Sequence, residues 1–257
     1  MNWYITGDKH GDFSALFSEN PEILENSDNA VIVLGDAGVN YYLDKRDNHI
    51  KEALNNVGCL WYIVYGNHES RPSRVYGMCH IYDLNVSGWV WYQSEYPNIR
   101  YFDDYGIYTI HGLKTAVIGG AYSVDKYYRL ERGWQWFPDE ELSDEEMDSC
   151  AALMKGKRFD LVLTHTCPLS YEPRDLFLSF IDQSTVSKRM EEFLDKVKNN
   201  VDWGILLFGH FHADRIEAPY VEQFFHDISS LEEIIERWKR YDETGELDWW
   251  LSKSPNF

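Results

Sequence analysis

Five apolar runs that end in metal-capable side chains constrain the fold of this chain more than any other feature of its sequence. The runs are WYIT, VIVL, WYIVY, LVLT and ILLF, and four of them are followed directly by glycine. The polar residues just beyond them are Asp8, His10, Asp36, Asn67, His68, His165, His210 and His212. Short continuous apolar runs are typical of strands buried on both faces of a parallel sheet. The carboxyl ends of such strands border the binding crevice, so we expect these side chains to share one site.

Helical patterns separate these runs along most of the chain. FSALFSE and KRDNHIKEALNNV lie between the first three runs, and another helical pattern near residues 185–200 precedes the last run. Alternating strands and helices indicate an α/β fold with a mostly parallel sheet covered on both faces. Residues 90–122 instead hold short aromatic and β-branched runs broken by Pro and Gly, which predict antiparallel hairpins.

The chain has no internal repeat, low-complexity tract or Pro/Gly/Ser-rich linker. Its 257 residues are enough for one large hydrophobic core, so we expect a single domain over residues 1–257. From about residue 229, an amphipathic pattern predicts a C-terminal helix, followed by a tail with an aromatic end.

The formal net charge of −19 disfavours duplex nucleic acid and anionic membranes as partners. A small anionic substrate stays compatible with this charge, because a bound metal can reverse the field inside one cleft. Four scattered cysteines without CxxC spacing indicate reduced thiols rather than disulfides or a thiolate zinc site. The N-terminus has no basic, apolar leader pattern, and no apolar run approaches the roughly 20 residues that span a bilayer. We therefore expect a cytoplasmic protein.

The residue types at the strand ends suit a pair of divalent metal ions. Imidazoles and carboxylates are ligands of borderline metals such as Mn, Fe and Zn, and the many histidines argue against a purely oxygen-ligated Ca or Mg site. Two ions about 3.5–4 Å apart can hold a water between them and bind phosphoryl oxygens. Each residue alone is compatible with an ordinary polar turn. Their joint occurrence at five strand ends favours metal binding.

The ordered motifs GDxH, GD, GNH, H and GHxH, spread over residues 7–212, resemble those of the calcineurin-like metallophosphoesterase superfamily. The resemblance implies an αββα sandwich of two mixed β-sheets flanked by helices, around a dinuclear centre. It implies that Asp8, His10 and His212 bind one ion, that Asn67, His165 and His210 bind the other, and that Asp36 bridges them. It also implies that His68 protonates the leaving group. The metal expected is Mn, with Fe and Zn as alternatives.

The segment GNHESR is also similar to a segment of the phosphoprotein phosphatases in which the arginine contacts the substrate phosphate. This similarity nominates Arg71, since a guanidinium fork matches phosphate oxygens; a surface arginine in a Pro/Ser loop is the alternative. The second motif departs from that group, because GDAGVNY stands where those proteins have GDxxDRG. The aspartate that would orient His68 falls at Val39, and the next arginine falls at Asn40. The group that orients His68 therefore stays open.

These features predict metal-dependent hydrolysis of a phosphate ester, in which a hydroxide held between the two ions attacks and His68 protonates the leaving oxygen. The expected partner is a small phosphorylated substrate such as a nucleotide. The alternatives are a nucleotide or cyclic-nucleotide phosphodiesterase or nuclease of the same superfamily, and a non-enzymatic scaffold on this fold. The aromatic, charged segment 119–141 either walls the site, with Asp125, Lys126 and Arg129 as substrate contacts, or is a surface loop.

Overall fold

The computed structural model of the protein describes residues 1–177 and 179–246. Within them, the strands of the first sheet are β1 (Asn2–Thr6), β2 (Asn29–Val33), β3 (Leu60–Ile63), β4 (Met78–Asp83), β5 (Gly88–Gln93), β6 (Ile99–Phe102) and β13 (Ile228–Ser230). They lie in the order β13–β1–β2–β3–β6–β5–β4. The central strands β1, β2, β3 and β6 are parallel, whereas β13, β5 and β4 pair antiparallel with their neighbours. The sheet is therefore mixed.

The second sheet is also mixed. Its strands are β7 (Tyr105–Ile110), β8 (Leu113–Ile118), β9 (Arg158–Thr164), β10 (Asp202–Phe208), β11 (Arg215–Ala218) and β12 (Val221–Gln223). They lie in the order β11–β12–β10–β9–β8–β7. The inner strands β8, β9, β10 and β12 are parallel, and the two outer strands β7 and β11 are antiparallel to their neighbours.

Helices cover the outer face of each sheet. They are α1 (Ser14–Glu19), α2 (Pro21–Leu24), α3 (Lys45–Asn55), α4 (Lys126–Glu131), α5 (Asp144–Met154), α6 (Arg189–Lys198) and α7 (Leu231–Thr244). The first three contribute apolar side chains to the cluster on the first sheet, and α5 and α6 do so on the second. Since α7 packs Ile234 and Trp238 into the central cluster, it closes one side of the sandwich.

The central apolar layer lies between the two sheets. In β2, Ala30 and Ile32 face this layer, while Val31 and Val33 face the helical layer outside. In β9, Leu161 and Leu163 belong to the same central layer. A strand buried on both faces needs apolar residues at every position, which is why these strands read as continuous apolar runs.

The expected αββα sandwich of two mixed sheets is confirmed. Residues 90–122 form the antiparallel pairs that their sequence predicts, but the chain crosses between sheets at Asp103 and Asp104, so β5 and β6 belong to one sheet and β7 and β8 to the other. A hairpin pattern in the sequence indicates which neighbouring strands pair, but not which of the two sheets the paired strands join. The aromatic end expected after α7 lies outside the described residues. In the described chain, no helix combines the length and apolarity required to cross a bilayer.

Candidate metal centre

The polar residues that follow β1, β2, β3, β9 and β10 meet at one edge of the sandwich. The backbone N–H of His210 donates to Asp8 Oδ1 over 2.9 Å, which ties the end of β10 to the end of β1 in the other sheet. His165 Nδ1 donates to the Leu34 carbonyl oxygen over 2.8 Å, which ties β9 to β2. These contacts bring motifs far apart in sequence into a single site.

The glycines in these motifs allow this close approach. A Cβ at Gly35 would lie 2.0 Å from His165 Nδ1, and one at Gly209 would lie 2.3 Å from Asp8 Oδ1. Gly35 also has a φ of +93°, a conformation that residues with a side chain rarely adopt. Each glycine therefore leaves room for a candidate ligand that comes from another motif.

One ligand group contains Asp8, His10 and His212, whose ligand atoms all lie within 4.8 Å of one another. His10 Nε2 lies 3.0 Å from His212 Nε2, and Asp8 Oδ2 lies 3.4 Å from His212 Nε2. Asp8 Oδ2 is buried and has no hydrogen-bond partner among the described residues. This group therefore holds a carboxylate oxygen that a cation would satisfy.

A second ligand group lies around His165. Its Nε2 is 2.8 Å from Asn67 Oδ1 and 3.6 Å from Asp36 Oδ2, and its ring centre is 5.0 Å from that of His210. Because Nδ1 donates to a carbonyl, Nε2 of the neutral ring is an acceptor that faces the acceptor oxygen of Asn67. A cation or a proton is needed between these two atoms.

Asp36 lies between the two groups. It shares a cluster with His10 on one side and with Asp8 and His165 on the other, each within 4.8 Å. Its Oδ1 also accepts a hydrogen bond from the backbone N–H of His68 over 2.7 Å, which fixes the carboxylate in place. This is the position that a carboxylate shared by two ions requires. The donor set, two carboxylates, an amide oxygen and four imidazoles, fits two borderline divalent metals.

Backbone strain is concentrated at these residues. His10, Asp36, His210 and His212 have φ values of 46°, 48°, 69° and 55°. Positive φ is uncommon outside glycine and costs on the order of 1–3 kcal/mol per residue, so it persists where surrounding structure holds it, often at functional sites. The fold therefore holds the backbone of these four residues in a strained conformation.

The electrostatics keep the carboxylates ionised. Burial acts to raise the pKa of Asp36, but the charges of His165 and His68 outweigh it and hold this pKa well below its usual range. Burial acts to lower the pKa of His165, but Asp36 and Asp8 outweigh it and raise this pKa to about 9. Burial and the charge of His165 lower the pKa of His210 to about 3, so its ring is neutral. Without a cation, a proton on His165 thus balances the carboxylates.

His68 lies at the wall of the cleft beside this site. Its side chain is 25% exposed, and its Nε2 lies 3.6 Å from Asp125 Oδ1. A ring nitrogen of His68 also lies within 4.8 Å of His10 and Asp36 ligand atoms, so the geometry alone permits either a ligand or a free imidazole. A carboxylate from the loop after β8 thus lies near His68, whereas Val39 supplies none.

Sequence reasoning missed Ser123 and Glu140, which support the site from behind. Asn67 Nδ2 donates to Ser123 Oγ over 2.9 Å, and Ser123 Oγ donates to Glu140 Oε2 over 2.5 Å. Arg129 Nη1 donates to the same hydroxyl over 3.2 Å. The serine fixes the Asn67 amide so that its oxygen faces His165. The position of Ser123 beside Asp125 in the aromatic segment was the available signal, but polar residues in such loops are common.

Arg129 and Lys126, which were expected to contact the substrate, are not among the described residues that line the cleft. Arg129 is 1% exposed and packs behind Asp125, with Nη1 3.8 Å from its Oδ1. Lys126 Nζ lies 4.0 Å from the ring centre of Trp136. Asp125 alone of the three lines the cleft, because Arg129 turns inward and Lys126 lies over the ring of Trp136.

Arg71 does not lie where it could contact a phosphate at this site, contrary to the expectation from the GNHESR segment. Its five N–H donors are all used within the fold, by Asp104 and Glu146 carboxylates and by backbone carbonyls of Asp139 and Glu141. The side chain is 6% exposed and does not line the cleft. Arg71 therefore joins the GNHESR loop to the start of α5, and it leaves no donor for a substrate.

Comparison with known proteins gives the family. The model of the calcineurin-like phosphoesterase family matches residues 1–214. No curated protein matches the chain. The chain is similar to the solved structure of a protein of unknown function from Aquifex aeolicus, with 15% identity, 91% of this chain and 98% of that chain covered, and a TM-score of 0.40.

Two further solved structures are similar. A phosphopantetheinyl hydrolase from Mycobacterium tuberculosis has 13% identity, 99% and 96% coverage of the two chains, and a TM-score of 0.47. An archaeal phosphodiesterase has 13% identity, 88% and 82% coverage, and a TM-score of 0.34. Values this low carry no information about substrate. The match of the family model over most of the chain shows that this protein belongs to the calcineurin-like phosphoesterase family and is a phosphoester-hydrolysing enzyme.

Proposed function

We propose that this protein hydrolyses a small phosphate ester with two divalent cations, most simply Mn, and with His68 as the proton donor to the leaving oxygen. Fe and Zn remain alternatives as the bound metals. The observation that carries the proposal is the meeting of five strand-end motifs in two ligand groups that share Asp36. Asp8, His10 and His212 would hold one cation, and Asn67, His165 and His210 would hold the other.

When bound, the two cations would polarise the phosphoryl oxygens and activate a water. The protein positions their ligands. The Leu34 carbonyl accepts from His165 Nδ1 and leaves Nε2 directed at the centre, and Ser123 sets the orientation of the Asn67 amide. Such outer contacts orient ligands and typically change metal affinity by about 10–100-fold when removed.

Three observations support His68 as the proton donor. It lines the cleft, follows the ligand Asn67 directly in sequence, and faces Asp125 across 3.6 Å. We propose that Asp125 orients the ring and stabilises its protonated form. A donor placed in this way typically contributes about 10²–10⁴-fold to the rate.

The test is metal content together with hydrolysis. Elemental analysis of the chain purified without chelator and reloaded with Mn should approach two ions per chain, with hydrolysis of p-nitrophenyl phosphate or bis(p-nitrophenyl) phosphate. Asp36→Asn should lose ions from both groups and lose hydrolysis, because it removes the shared charge. Asp28→Asn, at an exposed position, is the matched control. One ion per chain after reloading, or two ions retained in Asp36→Asn, would contradict the proposal.

The substrate follows from a panel on the same Mn-loaded protein. Nucleotides, cyclic nucleotides, phosphopeptides and generic monoesters and diesters separate a phosphatase from a phosphodiesterase. A metal-loaded chain that hydrolyses none of them would contradict the proposed activity on small phosphate esters. The single-domain organisation over residues 1–257 and the cytoplasmic location stay predictions from the sequence.

A further inference from the structure

A cleft of about 460 Å³ opens beside the candidate metal centre, and one of its walls is apolar. Phe177, Ile181 and Val186, from the segment between β9 and α6, face this space together with Phe211 of the GHFH motif. The rings of Phe177 and Phe211 lie 6.2 Å apart at an interplanar angle of 24°. A volume of this size with aromatic walls is typical of sites that bury most of a small ligand.

The charges around the cleft disfavour a second anionic group on the substrate. Among the described residues that line it, Lys188 is the one lysine or arginine. Lys188 Nζ lies 2.7 Å from Glu172 Oε1, so its charge is already compensated. Asp125 and Glu191 line the same cleft with carboxyl groups, and burial raises the pKa of Glu191 to about 7, so near neutral pH this group carries only part of a negative charge. Away from the metal centre, an additional phosphate or carboxylate would therefore meet negative charge without a free cation.

Glu191 holds an oxygen without a partner just behind the surface of this wall. Its Oε1 accepts from Thr166 Oγ1 over 2.7 Å, but Oε2 is buried and has no hydrogen-bond partner among the described residues. The residue is 4% exposed. A buried acceptor without a partner costs about 1–3 kcal/mol, and a ligand donor that reaches it after a small shift of the side chain would recover that energy.

We propose that this cleft binds the alcohol portion of a phosphate ester that is apolar or aromatic, carries no second anionic group, and presents an amine, amide or hydroxyl donor to Glu191. The inference rests on the proposed function, since the phosphate itself would lie at the metal centre. It excludes nucleoside polyphosphates and oligonucleotides as preferred substrates. Phe177 and Phe211 contact the apolar part of the alcohol.

Calorimetry on the Mn-loaded full chain, at a pH above 7 where Glu191 is mostly ionised, tests this with three non-hydrolysable benzylphosphonates that differ only in the 4-substituent. The 4-aminomethyl compound should bind most tightly, because its amine forms a buried charge-assisted hydrogen bond with Glu191. The 4-methyl compound, which lacks this bond, should bind about tenfold more weakly. The 4-carboxy compound should bind most weakly, because its carboxylate is repelled by Glu191. Glu191→Gln should reduce the preference for the amine over the carboxylate by about tenfold or more while retaining an acceptor for Thr166. Glu192→Gln, the exposed neighbour on α6, should leave the preference unchanged.

Phe177→Ala should weaken all three compounds by a similar factor, because it removes apolar contact and no charge. Equal affinities for the three compounds, no measurable binding of any, or an unchanged preference in Glu191→Gln would overturn the inference. Hydrolysis of nitrophenyl esters is measured separately. If the chain hydrolyses them but does not discriminate among the phosphonates, only this inference fails; if it hydrolyses none, the proposed function fails as well.

Discussion

Replacing Arg71 separates a structural role from a catalytic one, and we expect Arg71→Ala to destabilise the fold without changing the chemistry. The guanidinium pairs with Asp104 and Glu146 at 2.9 and 2.6 Å and lies 3.3 Å from an Asp139 carboxylate oxygen. Its removal would leave Asp104 and Glu146 without their shared cation, while Asp139 would keep its pair with Arg74. The free energy of unfolding should therefore fall.

The structure sets the expected size of this loss. Removing one partner of a buried ion pair costs about 3–5 kcal/mol. The Glu146 side chain is 34% exposed, so water solvates part of its charge, and we expect the lower end, about 3 kcal/mol. In a domain of this size each kcal/mol shifts Tm by about 2–4 °C, so Tm should fall by roughly 6–12 °C.

Differential scanning calorimetry of the Mn-loaded variants measures this shift. Arg74→Ala is the matched control, because Arg74 is itself 65% exposed and water solvates its charge, so the loss of its one pair with Asp139 should lower Tm less than the loss of Arg71. Arg71→Lys keeps the charge with fewer donors and should give an intermediate Tm. For each metal-loaded variant, kcat/KM on p-nitrophenyl phosphate should match that of the unmodified protein. An unchanged Tm together with a loss of about 10²-fold or more in kcat/KM would refute the structural role and restore the phosphate contact.

Three further predictions follow from the same site and its surroundings. His68→Ala should keep both ions and lose about 10²–10⁴-fold on alkyl phosphates but much less on nitrophenyl esters, whose leaving groups depart without a proton; equal losses would exclude the acid role. Ser123→Ala should weaken binding of one Mn per chain by about 10–100-fold in equilibrium dialysis, because the Asn67 amide is released; unchanged affinity for both ions would show that the contact is dispensable. Burial raises the pKa of Asp104 to about 6, against the opposing charge of Arg71. The pKa of an unfolded aspartate is about 3.9, so between pH values of about 3.9 and 6 the folded state binds more protons than the unfolded state. The stability that protonated Asp104 contributes at low pH is therefore lost as pH rises through about 6. The Tm of Asp104→Asn relative to the unmodified protein should therefore rise from about pH 4 to about pH 7, and a difference that is independent of pH would contradict this assignment.

Much of the fold, and the meeting of the candidate ligands at one edge, could be predicted because both follow from local patterns. A strand buried on both faces must be apolar throughout, and parallel strands place their carboxyl ends at one edge, so the runs before Asp8, Asp36 and Asn67 locate those side chains together. The glycines in these motifs are needed because side chains from other motifs lie against them. The sequence shows the glycines but not which side chains they contact. The sheet to which β7 and β8 belong could not be predicted, because hairpin periodicity carries no information about the wider sheet.

By itself, the sequence determined the class of fold and the residues available to hold two metal ions, since strand periodicity and side-chain chemistry are local properties. Only the tertiary structure decided how the remaining polar residues are used. Arg71 lies in a motif similar to one that contacts phosphate, yet all its donors are used by groups distant in sequence. These are the carboxylates of Asp104 and Glu146 and the backbone carbonyls of Asp139 and Glu141. Asp125 approaches His68 from another part of the chain, which no spacing within the GNH motif could indicate. Such contacts depend on long-range packing. The hydrogen bonds and ion pairs that a polar side chain forms are therefore set by the residues that folding brings next to it.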